Sequence, residues 1–110
     1  MENYNRIEKN KFDVRYYLND KLHRIDGPAQ EWANGYKEWC QNGKRHRIDG
    51  PAVEYSSGSK EWYQNGLLHR IDGPAKEYND EYKEWWFEGK KIDCNSQEEF
   101  ERCIKLRLFW

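Results

Sequence analysis

A His-Arg-Ile-Asp run stands at residues 23–26, again at 46–49 and again at 69–72. An imidazole, a guanidinium and a carboxylate so close together are the parts for proton transfer, for a metal ligand set or for holding an anion. Spacing decides among these. Neighbouring strands lie about 4.8 Å apart, so equivalent residues two strands apart are about 10 Å apart. A zinc ion needs each ligand about 2 Å away. His23, His46 and His69 are therefore too far apart to share one ion, and no metal or other cofactor is expected. Three copies of one catalytic centre would also be unusual. The preferred reading is structural: Arg pairs with Asp, and His bonds backbone at a bend. A row of Arg24, Arg47 and Arg70 that contacts phosphate or carboxylate is the remaining chemical candidate.

The rest of the chain offers little reactive chemistry. Cys40, Cys94 and Cys103 have no C-x-x-C spacing. With an odd count and no secretory leader in view, they read as reduced thiols that pack in a cytoplasmic setting. No G-x-S-x-G, H-E-x-x-H, P-loop or G-x-G-x-x-G run occurs. A flat sheet has no dry pocket to raise a carboxyl pKa. The expectation is a protein that is not an enzyme.

What positions these residues is a repeat. His-Arg-Ile-Asp-Gly-Pro-Ala recurs three times at a step of 23 residues. Asn19, Asn42 and Asn65 keep the step, as do Glu31, Glu54 and Glu77, then Lys37, Lys60 and Lys83. The pair Glu-Trp recurs at Glu38, Glu61 and Glu84. The units are residues 15–37, 38–60 and 61–83, with a degenerate fourth at 84–95. Asn42-Gly43 and Asn65-Gly66 predict type I′ hairpins, and Asn19-Asp20 fills the same slot. Asn34-Gly35 and Ser57-Gly58 mark a second turn per unit. Asp-Gly-Pro adds a bend, since Gly permits unusual backbone angles and Pro fixes one. The predicted fold is mainly β: one elongated antiparallel meander of about seven or eight strands, two per unit plus residues 12–18. Ser96 and Glu99 form a capping box. Phe100, Cys103, Ile104 and Leu108 follow at helical spacing. Residues 96–110 thus form a capping segment, with a helix over about 97–109 as a lid; Phe109 and Trp110 either pack there, the preferred reading, or extend an interaction surface.

This arrangement resembles the MORN repeat, which also has 23 residues and two strands. Trp39, Asn42, Gly43, Lys44 and His46 fit its aromatic, Asn-Gly-Lys and His positions, and Tyr55 and Gly58 fit its second strand and Gly turn. The longer HRIDGPA string replaces the short His-Gly segment. The H-R-x-D-G-P-A variant looks like a family found in bacteriophages, large DNA viruses and some bacteria. The resemblance covers residues 12–93 and implies a β-hairpin array.

Comparison among the units separates two kinds of position. Trp39, Trp62 and Trp85 are identical and read as a ladder of rings on one face. The varied columns are Gln30/Val53/Lys76, Trp32/Tyr55/Tyr78 and Cys40/Tyr63/Trp86. If the second turn has three residues and ends in a left-handed Gly, Glu54 faces Lys60 and Ala52 faces Trp62. The varied columns then share the opposite face. A two-residue turn would swap the faces; the three-residue register is preferred. Glu81 replaces that Gly in the third unit, so its turn must differ. Trp32, Tyr55, Tyr63, Tyr78 and Trp86 become a stripe of partner-binding candidates. The competing reading is that the helix or a partner subunit covers that stripe.

Composition bounds the partners. Only 36% of the 110 residues are hydrophobic and 35% are charged, yet there are 6 Trp, 8 Tyr and 4 Phe. Rings bury much area each, so a thin aromatic layer can order a polar chain. A net charge of -1 argues against binding duplex DNA. No long apolar or polybasic run points to a membrane. Open sheet edges permit a monomer or a dimer. A rigid sheet with one ring-rich, varied face reads as a non-catalytic protein-binding module, and the resemblance to phage-type H-R-x-D-G-P-A proteins implies its setting. Small cytosolic phage products often bind and disable a host factor. The leading expectation is therefore a counter-defence inhibitor of the anti-CRISPR kind, bound to a host protein or ribonucleoprotein such as an RNA-guided nuclease complex. Single-stranded RNA binding by base stacking is the alternative; a scaffold or antitoxin-like module is a third.

Overall fold

The type I′ signals act as the sequence demands. Asn42 and Gly43 have φ of 54° and 79°, and Asn65 and Gly66 have 52° and 82°. Asn19-Asp20 and Glu88-Gly89 take the same left-handed pair of angles. A computed structural model describes residues 2–79 and 81–106. In chain order its strands are β1 (Arg6–Lys9), β2 (Asp13–Leu18), β3 (Lys21–Leu22), β4 (Gln30–Trp32), β5 (Lys37–Glu38), β6 (Cys40–Gln41) and β7 (Lys44–Arg45). There follow β8 (Val53–Glu54), β9 (Lys60–Glu61), β10 (Tyr63–Gln64), β11 (Leu67–Leu68), β12 (Lys76–Tyr78), β13 (Tyr82–Phe87) and β14 (Lys90–Ile92), then helix α1 (Gln97–Leu106).

The main sheet runs β1-β2-β4-β5-β8-β9-β12-β13-β14, an open antiparallel meander, and β3 pairs with β2. The slab measures 46 × 30 × 17 Å. It is longer than the seven or eight strands expected, chiefly through β1. That strand pairs Arg6 with Tyr17 and Lys9 with Val14, and all four of its residues are exposed. A strand with no buried face leaves no apolar alternation to read.

The register is the three-residue one. Val53 pairs with Glu61 and Glu54 with Lys60; one step further sets Ala52 against Trp62. Gly35 and Gly58 carry φ of 100° and 94° at the ends of their turns. The third turn differs in which residue is left-handed. Asn79 takes φ 57°, and Tyr78 still pairs with Tyr82. An Asn tolerates that region well, so the register survives without the Gly.

At the identical aromatic of each unit the chain changes partners. Trp39 donates its N–H to Ala52 and accepts from His46, while Trp62 does the same with Ala75 and His69. Beyond that residue the strands continue as small hairpins, β6–β7 and β10–β11. Successive hairpins are stitched together: Gly43 N donates to Leu22 O, Gly66 N to Arg45 O and Gly89 N to Leu68 O.

The apolar core is small and lies at one end. Trp85, Ile92 and Phe100 are buried together, with Phe87, Cys94, Cys103 and Ile104 packed around them. Helix α1 starts at the predicted cap, where Ser96 Oγ accepts from Glu99 N at 3.2 Å. Leu108, Phe109 and Trp110 lie outside the described residues. Along β13, Trp85 and Phe87 point away from Glu84 and Trp86. The helix therefore covers the end of the Trp column and leaves the varied face open. No helix among the described residues is long and apolar enough to cross a membrane.

Candidate functional site

The varied face carries all five predicted rings, and their polar ends lead downward to a row of carboxylates. Glu38 and Glu61 are only 7% and 4% exposed. Glu38 accepts from Arg45 Nε at 2.6 Å and from Gln30 Nε2 at 2.6 Å. Gln30 Oε1 in turn accepts from Trp32 Nε1 at 2.9 Å. Glu61 accepts from Tyr63 OH at 3.0 Å and from Tyr78 OH. Arg45 Nη1 donates to Tyr63 OH at 3.2 Å and links the two acids. Glu84 accepts from Trp86 Nε1 at 2.9 Å and from Tyr82 OH. Lys91 Nζ lies 3.4 Å from Glu84.

Two rings missing from the sequence expectation complete the stripe. Tyr36 meets Trp32 edge-on at 5.9 Å and Tyr55 at 5.6 Å. Tyr82 stacks on Tyr78 at 5.7 Å. Tyr36 and Tyr82 occupy one column two units apart, filled by Ser59 in between, and that variation was their signal. The buried Glu38 and Glu61 and the half-buried Glu84 were also missed as part of this face. Glu at this position in the second, third and fourth units, with Arg15 in the first, marks a shared floor beneath rings that vary.

The electrostatics follow from burial. Burial pushes the Tyr36 phenol up to about 12, with the Glu38 charge adding to it. Tyr63 reaches about 12 through burial and the neighbouring Glu61. Tyr78 is raised by burial and by its bond to Glu61. Burial would raise Glu38, but the hydrogen bonds from Arg45 and Gln30 outweigh it and hold this carboxyl below its usual range. Burial, with Glu38 nearby, raises the Cys40 thiol out of the reactive range. Burial also lifts Cys94 to about 11.

The motif side uses different chemistry. The rings of the Trp column are not stacked on each other as a ladder. Where a motif follows, its guanidinium covers the ring: Arg47 lies 3.8 Å from the Trp39 ring centre, Arg70 3.8 Å from Trp62, and Arg24 4.1 Å from Tyr16 of the first unit. Arg47 also donates to Asp49 at 3.1 Å, to Pro51 O at 3.0 Å and to Glu54 at 3.3 Å. Arg70 repeats this with Asp72, Pro74 and Glu77, and Arg24 bonds Asp26 and Pro28 O. An anion at this row would have to displace carboxylates already in place.

The Gly of Asp-Gly-Pro serves this packing, and its backbone is not left-handed. A Cβ built on Gly27, Gly50 or Gly73 would lie 2.8, 2.8 or 2.6 Å from the guanidinium carbon. The expectation of an unusual backbone angle is thus replaced by one of close approach. Each His accepts at Nδ1 from the next hairpin turn: His23 from Asn42 N, His46 from Asn65 N and His69 from Glu88 N, at 2.9–3.0 Å. With Nδ1 accepting, Nε2 holds the proton, and His23 Nε2 donates to Glu2 O at 2.8 Å. Among the described residues no group of three His, Cys, Asp or Glu is placed to hold a metal ion.

Comparison with protein-family models, with curated proteins and with solved structures finds no match.

Proposed function

We propose that this chain is a non-catalytic binding module whose working surface is the varied, ring-bearing face. The observation that carries the reading is the anchoring of that face. The polar ends of Trp32, Tyr63, Tyr78, Tyr82 and Trp86 are held by Gln30, Glu61 and Glu84, so the rings are set before any partner arrives. Pre-organised aromatics lose little entropy on binding and make efficient contact anchors. Trp32 and Tyr82 remain 43% and 48% exposed at the two ends of the stripe.

A protein partner fits better than RNA. Arg45 is paired with Glu38 and Glu61, and Lys76 and Lys91 lie beside Glu84. A nucleic-acid backbone needs cations to spare, and these are matched by acids of the same face. The resemblance to H-R-x-D-G-P-A repeat proteins supplies the setting: a phage-type inhibitor in the host cytoplasm that occupies an immune effector such as an RNA-guided nuclease complex.

The test uses the full chain immobilised in host lysate, with and without RNase, followed by cleavage assays with the nuclease complex it retains. Capture is expected to survive RNase and moderate salt, and cleavage to be inhibited. Trp32→Ala with Tyr82→Ala, both on exposed rings, is expected to abolish capture while the β-sheet circular dichroism is kept. Capture lost on RNase treatment would favour the RNA reading. Capture indifferent to the double variant would remove this face as the working surface.

A further inference from the structure

The opposite face carries a repeated element that is occupied in one unit and open in two. In the fourth unit the motif is gone. Asp93 stands where Arg24, Arg47 and Arg70 stand before it, and helix α1 begins at the position of the Pro. The helix uses one side chain to bond the unit behind it. Gln97 Oε1 accepts from Trp85 Nε1 at 2.8 Å, and Gln97 Nε2 donates to Ile71 O at 2.9 Å. One carboxamide thus reads an indole N–H and a main-chain carbonyl at the same time. Phe100 packs on the same indole.

The same pair recurs upstream by the 23-residue step. The equivalents are Trp62 Nε1 with Ile48 O and Trp39 Nε1 with Ile25 O, each pair of residues lining one recess. Among the described residues none of these four groups has a hydrogen-bond partner, whereas Trp85 and Ile71 have Gln97. Nor is any fully buried side-chain polar atom left without a partner, so both indole N–H groups are reachable from outside. A recess opens at each place. One is floored by Trp39 between Ile25 and Ile48, the other by Trp62 between Ile48 and Ile71. Their rims mix isoleucines with ion pairs: Ile25, Ile48 and Ile71 are all more than 40% exposed and stand beside Asp26, Asp49 and Asp72, each paired with its own motif arginine. Arg47 and Arg70 cover the flat of each ring, but their donors go to Asp, Glu and Pro O, not to the open carbonyls.

We infer that these two recesses bind primary carboxamides, the side chains of Asn or Gln on a partner protein segment. The segment would carry apolar residues to cover the isoleucines and two amides about 10 Å apart, the span of one unit. The donor–acceptor pair decides the chemistry. A carboxylate can accept from the indole but cannot donate to the carbonyl. An ammonium can donate but cannot accept. An amide does both. The inference concerns the face opposite the ring stripe and stands or falls apart from the function proposed above.

The probe is a peptide with the sequence of residues 96–101, Ser-Gln-Glu-Glu-Phe-Glu, acetylated and N-methylamidated so that Gln supplies its only primary amide. It is titrated into the full ¹⁵N-labelled chain while the indole N–H signals and the backbone N–H signals of Ile25, Ile48 and Ile71, which the double Phe variant retains, are followed. The Trp39 and Trp62 signals are expected to move, with half-saturation at ~1 mM, and the Trp85 signal to stay. The same peptide with Gln→Glu is expected to bind on the order of tenfold more weakly, the loss of one good hydrogen bond. Trp39→Phe with Trp62→Phe keeps a ring under each arginine and removes both donors; it is expected to abolish the response. Equal response to the Glu peptide, or binding that persists in the double Phe variant, would overturn the proposal. So would indole shifts with oligo(rC) and none with the peptide, which would assign the recesses to base edges. If the double variant fails to fold, the Gln and Glu peptides on the unaltered chain still decide.

Discussion

On the ring-bearing face, charge is buried and rings are outside. Glu38 and Glu61 lie under the aromatics, and Arg45 reaches in to neutralise them. On the motif face the order is reversed: rings lie against the sheet and charge lies over them. Arg47 and Arg70 cap Trp39 and Trp62, and their ion partners Asp49 and Asp72 have side chains 87% and 86% exposed. Both faces use the same ingredients, and the difference lies in solvent. An ion pair under rings is screened little, and its loss leaves a stranded charge. An ion pair over a ring is screened by water and is worth less. The first face is held rigid from beneath, and the second is sealed from above.

Arg45→Met is the strongest way to break this contrast. It strands the Glu38 carboxylate with the Gln30 amide and the Cys40 thiol as its remaining donors. A fully enclosed pair would cost roughly 3–5 kcal/mol; the partial exposure of Arg45 lowers the expected loss to about 2 kcal/mol. Arg47→Met removes a stacked, solvent-side guanidinium and is expected to cost about 1 kcal/mol. Urea unfolding of the two variants measures both. Arg47→Met costing more than Arg45→Met would reverse the comparison. Adding Glu38→Gln to Arg45→Met is expected to recover most of the loss, since an amide is left there in place of a charge.

The sequence announces these two faces unequally. The period and the paired turns make the meander legible, because each turn needs a residue that tolerates positive φ, and Asn and Gly mark those places. The choice of face follows from the three-residue turn, and the five ring positions from variation among units. What escapes is whatever depends on the third dimension of a repeat. That Glu38 and Glu61 are buried acids cannot be seen in a Glu-Trp pair, which reads equally well with Glu in water. That Gly50 makes room for Arg47 needs the guanidinium to fold back over its own loop. Strand β1 escapes because four exposed residues carry no pattern, and Gln97 because nothing local says that its amide bonds an indole and a carbonyl of the unit behind it.

Gly73→Ala probes the arginine seat more gently. The added Cβ would lie 2.6 Å from Arg70 Cζ, so the guanidinium must leave Trp62 and the Glu77 pair. The arginine is flexible and the backbone need not move; the expected cost is about 1 kcal/mol. The decisive measurement is a double-mutant cycle with Arg70→Met. If Gly73 acts through Arg70, the double variant costs little more than Arg70→Met alone. Additive losses would mean that the Gly is needed for its backbone after all. Gly58→Ala is the contrasting case. Nothing lies near its Cβ, but φ is 94°, so its penalty of about 1 kcal/mol comes from the turn itself.

The smallest expected effect is a pH dependence confined to the motif side. Burial lowers the His69 pKa below the ordinary 6.5, and the nearby Glu88 carboxylate only partly opposes this. Its Nδ1 accepts the Glu88 N–H, so a proton there would cost the turn one hydrogen bond. Between the folded value and 6.5 the unfolded chain binds more protons than the folded one, and stability rises with pH. The contribution is therefore present above pH 6.5 and is lost as pH falls through the folded value. The urea midpoint is expected to decline as pH is lowered below 6.5, and the decline to be shallower in His69→Gln. Gln keeps an acceptor for the Glu88 N–H but does not titrate. A parallel decline in both proteins would shift the effect to carboxylates such as Glu38 on the other face. In Glu38→Gln, which lacks that titration, the decline would then be the one to shrink.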